Sequence, residues 1–249
     1  MNKYLRTILL PIASHIGAIL PLSVIEQIYA IAVIRQKLQT HYTTKQYKNR
    51  EEMWKEILTP FESIPVDLVE FGVFEGYSIQ WFARNNSHKD SRFYGFDSFE
   101  GLPEFWSVSH PQSMFDLSGT IPTFDDQRIM PMKGWFQNTV AKFISAYTPD
   151  KQLIVHFDAD LYSSTLYILM QVDSLKKKYI GIFDEFRGDE ARALYNYTQA
   201  TGATVEIVAR TEHTYLPAQV VAIISPCSTY EAGSGGARSI STQNGDPRT

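Results

Sequence analysis

From Val66 onward, short apolar runs alternate with longer stretches whose apolar residues recur at helical spacing. The runs Val66–Phe71, Arg92–Asp97, Ile129–Lys133, Leu153–Asp158, Ile180–Asp184, Thr204–Ala209 and Gln219–Ser225 are short, apolar and bounded by turn residues, which predicts strands. Between them the spacing predicts helices over Tyr77–Asn85, Thr139–Tyr147, Ser163–Lys178 and Asp189–Thr201, with Gly202 where a helix commonly ends. Strands alternating with helices predict an α/β fold with a doubly wound, mostly parallel sheet of seven strands. No helix separates the last two strands, so they are expected to form an antiparallel hairpin at one edge.

The first sixty residues follow another pattern and are expected to form an N-terminal helical extension to a main domain spanning 61–232. Ser23-x-x-Glu26 before an apolar run predicts a capping box opening a helix that reaches about Gln39. A further helix, Glu51–Leu58, stops ahead of Pro60. The polar residues 40–50 between them read as a linker or lid. No Lys, Arg, Asp or Glu lies between Arg6 and Glu26, and aliphatic residues crowd the segment. Pro11, Pro21, His15 and Gly17 argue against one continuous membrane-spanning helix. The segment is expected to pack on the main domain or form a homodimer, with membrane contact as the alternative. Residues 233–249, rich in Gly and Ser, are expected to be a disordered tail.

At 249 residues, 44% of them hydrophobic and 20% charged, the chain has the composition of a globular protein. A net charge of −4 with no basic run gives no reason to expect nucleic acid as a partner. The lone Cys227 forms no intrachain disulfide and no CxxC zinc site, and it suits a reducing, cytoplasmic setting.

Candidate chemistry gathers at the strand ends. VDLVEFGVFEGYS, Val66 to Ser78, reads as strand, glycine turn and helix start, where ligands bind in open α/β sheets. Asp97 ends the next strand and is placed to accept from a ribose diol. With Glu70, Gly72 and Gly76 at the adjacent tip, it points to an adenosine-type cofactor. LIVHFDADLY ends in Asp158 and Asp160, and IGIFDEF in Asp184 and Glu185. Four carboxylates at neighbouring strand ends repel unless compensated, and a hard divalent cation, Mg²⁺ or Ca²⁺, is the natural compensation.

In order, VEFGVFEGYS, FYGFDSFEGLPE, KGWFQNT, HFDADLYSST and IFDEF resemble the macrocin O-methyltransferase family. These are class I S-adenosylmethionine-dependent enzymes with a Rossmann-like fold that methylate sugar or phenol hydroxyls. The resemblance runs from about residue 66 to 187. It implies a cofactor loop of Glu70, Gly72, Val73, Phe74, Gly76 and Ser78, with Asp97 and Ser98 at the ribose. It also implies a Mg²⁺ held by Asp158, Asp184 and Glu185, with Asp160 as general base and a small-molecule hydroxyl as acceptor. The family commonly carries Asp-Asp where this chain has Asp184-Glu185.

The aromatic loop residues Phe99, Phe105, Trp106 and Phe115 are candidates to cover the substrate, and His110 and His213 are spare bases. Two other readings stay open: a metal-dependent D-x-D glycosyltransferase, and a methyltransferase-like module that binds without turnover. A nicotinamide dehydrogenase fits less well, because the third glycine of its fingerprint is missing.

Overall fold

A computed structural model describes residues 3–38, 44–106, 110–212 and 216–227. His213 and the tail 233–249 lie outside them, as do residues 39–43. The helices are α1 (Lys3–Ile19), α2 (Leu22–Gln36), α3 (Arg50–Leu58), α4 (Tyr77–Asn85), α5 (Phe136–Ala146), α6 (Tyr162–Asp173) and α7 (Asp189–Thr201). The strands are β1 (Lys45–Tyr47), β2 (Val66–Phe71), β3 (Arg92–Asp97), β4 (Ile129–Lys133), β5 (Gln152–Phe157), β6 (Tyr179–Phe183), β7 (Thr204–Thr211) and β8 (Val220–Ser225).

The strands form one sheet in the order β1-β7-β8-β6-β5-β2-β3-β4, in which β8 alone runs antiparallel to its neighbours. The hairpin of β7 and β8 therefore exists, but β8 is inserted between β6 and β7 and the hairpin is not the edge. That edge is β1, paired in parallel with β7, which makes eight strands where seven were expected. Part of the segment read as a linker is thus a strand. Its side chains, Lys45, Gln46 and Tyr47, carry too little apolar pattern to reveal it.

β2 is buried along its whole length because both sheet faces are covered. Val66 and Leu68 face Met53, Trp54 and Leu58 of α3 and Phe82 of α4. Val69 and Phe71 face the layer that contains Val140 of α5, Ile168 and Leu169 of α6 and Leu194 of α7. The period-2 alternation of a central strand sorts the two cores. Phe157 and Phe183, neighbours across β5 and β6, stack with centroids 4.5 Å apart. Burial of each such ring contributes about 1.5–3 kcal/mol.

Ser23 does not cap α2. The helix starts at Leu22 behind Pro21, with no side-chain cap. The cap that forms is Asn49-x-x-Glu52: Asn49 accepts from the Glu52 N–H at 2.9 Å, and its amide donates back to Glu52 Oε1 at 3.4 Å. Asn49→Ala is expected to cost about 1 kcal/mol, read as a lower urea midpoint at unchanged slope. α2 packs on α7, burying Ala30, Val33 and Ile34, with Glu26 paired to Arg192 at 2.6 Å. α1 continues through Pro11 and ends ahead of Pro21. It exposes Leu9, Leu10, Ile12, Ile16 and Ile19. No helix among the described residues is long and apolar enough to cross a membrane.

Candidate active site

A cavity of about 370 Å³ opens at the carboxyl ends of β2, β3, β5 and β6. Its position follows from register. Glu70, His156 and Ile182 lie side by side across β2, β5 and β6. One step beyond the pleat the backbone bonds continue, Asp158 N–H to Phe71 O at 2.9 Å and Asp184 N–H to Phe157 O at 3.0 Å. Gly72, Asp158 and Asp184 therefore form a second row above the first, at the mouth of the sheet.

Gly72 is required in that row. Its φ is +94°, and a Cβ there would stand 1.8 Å from the carbonyl oxygen of Asp158. Gly76, at φ +79°, closes the turn with its N–H on Val73 O at 2.8 Å and precedes α4. Asp97 organises the loop between them. Its Oδ2 accepts from the N–H groups of Val73 and Phe74, both at 2.8 Å, and its Oδ1 accepts from Phe99 at 2.7 Å. With two lone pairs per oxygen, one acceptor position remains, on Oδ1, so Asp97 can take one hydroxyl and not both oxygens of a diol.

Of the residues anticipated at the cofactor, Gly72, Val73, Phe74, Ser78, Asp97 and Ser98 line the cavity. Gly76 shapes the loop without lining it. Glu70 lies behind the wall, fully buried, with its Oε2 2.9 Å from His156 Nδ1. The acids Asp158, Asp160, Asp184 and Glu185 all line the cavity.

These acids are not alike. Asp160 sits in a left-handed backbone conformation at φ +58°. Burial, reinforced by Glu185, Asp184 and Asp97, pushes its carboxyl up to about 7. Burial and the neighbouring Asp184 hold Asp158 well above the usual carboxylate range. Burial raises Glu185 too, against the pull of Arg187. For Asp184 burial also favours the neutral form, but His156 and Arg50 outweigh it and the carboxyl is lowered. His156 is the converse: burial disfavours its charge, yet Asp184 and Glu70 lift it to about 10. Behind the turn, the buried Glu190 accepts from the Glu185 N–H at 3.0 Å.

Donor atoms of His156, Asp158 and Asp184 lie within 4.8 Å of one another. Among the described residues these three could together hold a cation. The set anticipated from the sequence had Glu185 where the geometry gathers His156.

Neither a protein-family model nor a curated protein matches the sequence. Solved structures do match by shape. The calicheamicin methyltransferase CalS11 superposes with a TM-score of 0.51 at 18% identity, over 88% of this chain and 93% of that one. The O-methyltransferase NovP superposes with a TM-score of 0.50, also at 18% identity, over 80% of this chain and 98% of that one. The chain has the Rossmann-like methyltransferase fold. In that frame the cavity lies where open α/β sheets bind ligands, outside the carboxyl ends of the strands.

The aromatic residues read from the loop divide. Trp106 and Phe115 line the cavity, Phe99 is fully buried in the core and Phe105 points to solvent. His110 lines the cavity against Trp106, with ring centroids 4.3 Å apart. Arg50 was not anticipated. One turn above Trp54 on α3, it lies over the Trp54 and Tyr77 rings at 5.1 and 5.3 Å. Its Nη1 reaches Asp184 Oδ1 at 3.4 Å. The two residues are 134 positions apart, so no local motif links them.

Proposed function

We propose that this chain is an S-adenosylmethionine-dependent O-methyltransferase of the macrocin O-methyltransferase type, acting on a hydroxyl of a small molecule. The observation that carries the reading is that the glycine loop braced by Asp97 and the carboxyl of Asp160 open on one cavity within a methyltransferase fold. S-adenosylmethionine supplies an activated methyl group on a sulfonium. The protein has to bind that donor, align an acceptor oxygen with it, keep water out and take a proton.

The loop residues Gly72 to Glu75 and Ser78 line the donor side of the cavity, and the last lone pair of Asp97 takes one ribose hydroxyl. Asp160 accepts the proton as the acceptor oxygen gains the methyl group and the sulfur keeps the electrons of the broken bond. A carboxyl raised by burial suits a base working near neutral pH. Trp106 and Phe115 shield that side of the cavity from solvent. The fully buried His156, whose Nε2 makes no hydrogen bond, fits with Asp158 and Asp184 as a cation-binding set. A bound divalent cation supplies a Lewis acid that lowers the pKa of the acceptor hydroxyl.

S-adenosylhomocysteine at about 100 times its dissociation constant is expected to add about 2.7 kcal/mol to stability. The thermal midpoint should rise accordingly, while NAD should leave it unmoved. A shift with UDP-sugar and Mn²⁺, but none with S-adenosylhomocysteine, would replace this reading with glycosyl transfer. Methylated product from sugar or phenol acceptors then identifies the substrate class.

A further inference from the structure

We infer that His156 is itself a ligand of the cation at Asp158 and Asp184, with Glu70 orienting its ring, so that the site selects a first-row transition-metal ion over Mg²⁺. This rests on reading the cavity as a cation-assisted transferase site.

Register, hydrogen bonding and packing carry the inference together. Glu70 and His156 are direct partners across β2 and β5. Glu70 Oε2 meets Nδ1 at 2.9 Å and holds the ring by that nitrogen, so a cation bound at Nε2 takes the place of the proton that Asp184 and Glu70 otherwise favour there. Nε2 is buried, makes no hydrogen bond, and stands 3.9 Å from Asp184 Oδ1, beyond hydrogen-bonding reach. Trp54 and Phe82 meet the imidazole edge-on at 5.5 and 5.4 Å, so the ring is wedged in this orientation. His156 and Asp158 are two residues apart at a strand end and share one face, while Asp184 is brought alongside by the Phe157–Asp184 bond.

A carboxylate behind a histidine whose other nitrogen faces two further carboxylates is the support pattern that metal-bound imidazoles carry. It also sets the preference. Hard Mg²⁺ favours oxygen donors throughout, whereas a donor set of one nitrogen and two carboxylates suits Mn²⁺, Fe²⁺, Co²⁺ or Zn²⁺. Arg50 Nη1 reaches the same Asp184 oxygen at 3.4 Å, and a bound cation has to displace that contact.

The test uses the full chain stripped with a chelator and titrated calorimetrically with Mg²⁺, Mn²⁺ and Co²⁺. Pulsed electron paramagnetic resonance of the Mn²⁺ form then looks for nitrogen hyperfine coupling. The expected result is Co²⁺ and Mn²⁺ binding tighter than Mg²⁺, with nitrogen coupling in the wild-type protein. His156→Asn should abolish the coupling and weaken Co²⁺ binding, while Mg²⁺ binding changes little. Glu70→Gln should keep the fold and weaken Co²⁺ by roughly 10–100-fold. The wild-type spectrum decides even if His156→Asn does not fold. Cation binding without nitrogen coupling, and with no preference over Mg²⁺, overturns the inference and leaves the cation-assisted reading standing. No binding of any of the three ions overturns both. Stabilisation by S-adenosylhomocysteine reports on the transferase reading separately.

Discussion

Asp160→Asn is expected to slow methyl transfer by roughly 10²–10⁴-fold, the usual contribution of a positioned general base. Fold and S-adenosylhomocysteine affinity should survive. Asparagine has nearly the same shape, and it tolerates the left-handed backbone that Asp160 adopts at φ +58°. It also removes a carboxyl that burial, Glu185 and Asp184 already disfavour as a charge. Stability should therefore hold or rise slightly while turnover collapses. Product formation measured beside the thermal midpoint separates the two effects, and an unchanged turnover rate would remove Asp160 from the base role.

Gly72→Ala should have the largest structural effect of any single methyl added at the site. The new Cβ would fall 1.8 Å from the Asp158 carbonyl oxygen, with φ at +94°. Backbone strain costs about 1–3 kcal/mol and overpacking a similar amount, so a loss of roughly 3–5 kcal/mol is expected. The obstructing atom is backbone, so relief requires β2 and β5 to part where both Asp158 and the glycine loop are held. Urea unfolding should show the loss, and S-adenosylhomocysteine binding should vanish with it. Wild-type stability in this variant would contradict the register that puts Gly72 beside Asp158.

The central strands are legible because they are apolar on both faces. β2 falls where its apolar run puts it, Val66–Phe71, and β3, Arg92–Asp97, and the edge strand β4, Ile129–Lys133, are marked by short runs between turn residues. β1 escapes because a three-residue edge strand needs no apolar pattern. The Ser23–Glu26 signature misleads because Pro21 already sets the start of α2, while Asn49 caps the next helix by accepting from the Glu52 N–H. At the site, Asp158, Asp160, Asp184 and Glu185 are legible as acids closing apolar runs. Their division of labour is not, because it depends on neighbours from other strands. Glu70 reads locally as part of the glycine loop; only the pairing of β2 with β5 reveals that it faces His156. Arg50 is set by the packing of α3 over Trp54, which no spacing rule within the chain describes.

Phe74 at φ +49° and Phe115 at φ +66° share the left-handed backbone of Asp160, and the two rings meet at 5.3 Å across the cavity wall. Such conformations are costly for bulky residues. Laboratory evolution for heat resistance would therefore find its readiest gains at the rim, by placing Gly or Asn at these positions. Each gain would remove an aromatic side chain from the cavity wall, so thermal selection without an activity screen would drift toward a sturdier protein whose cavity has lost that side.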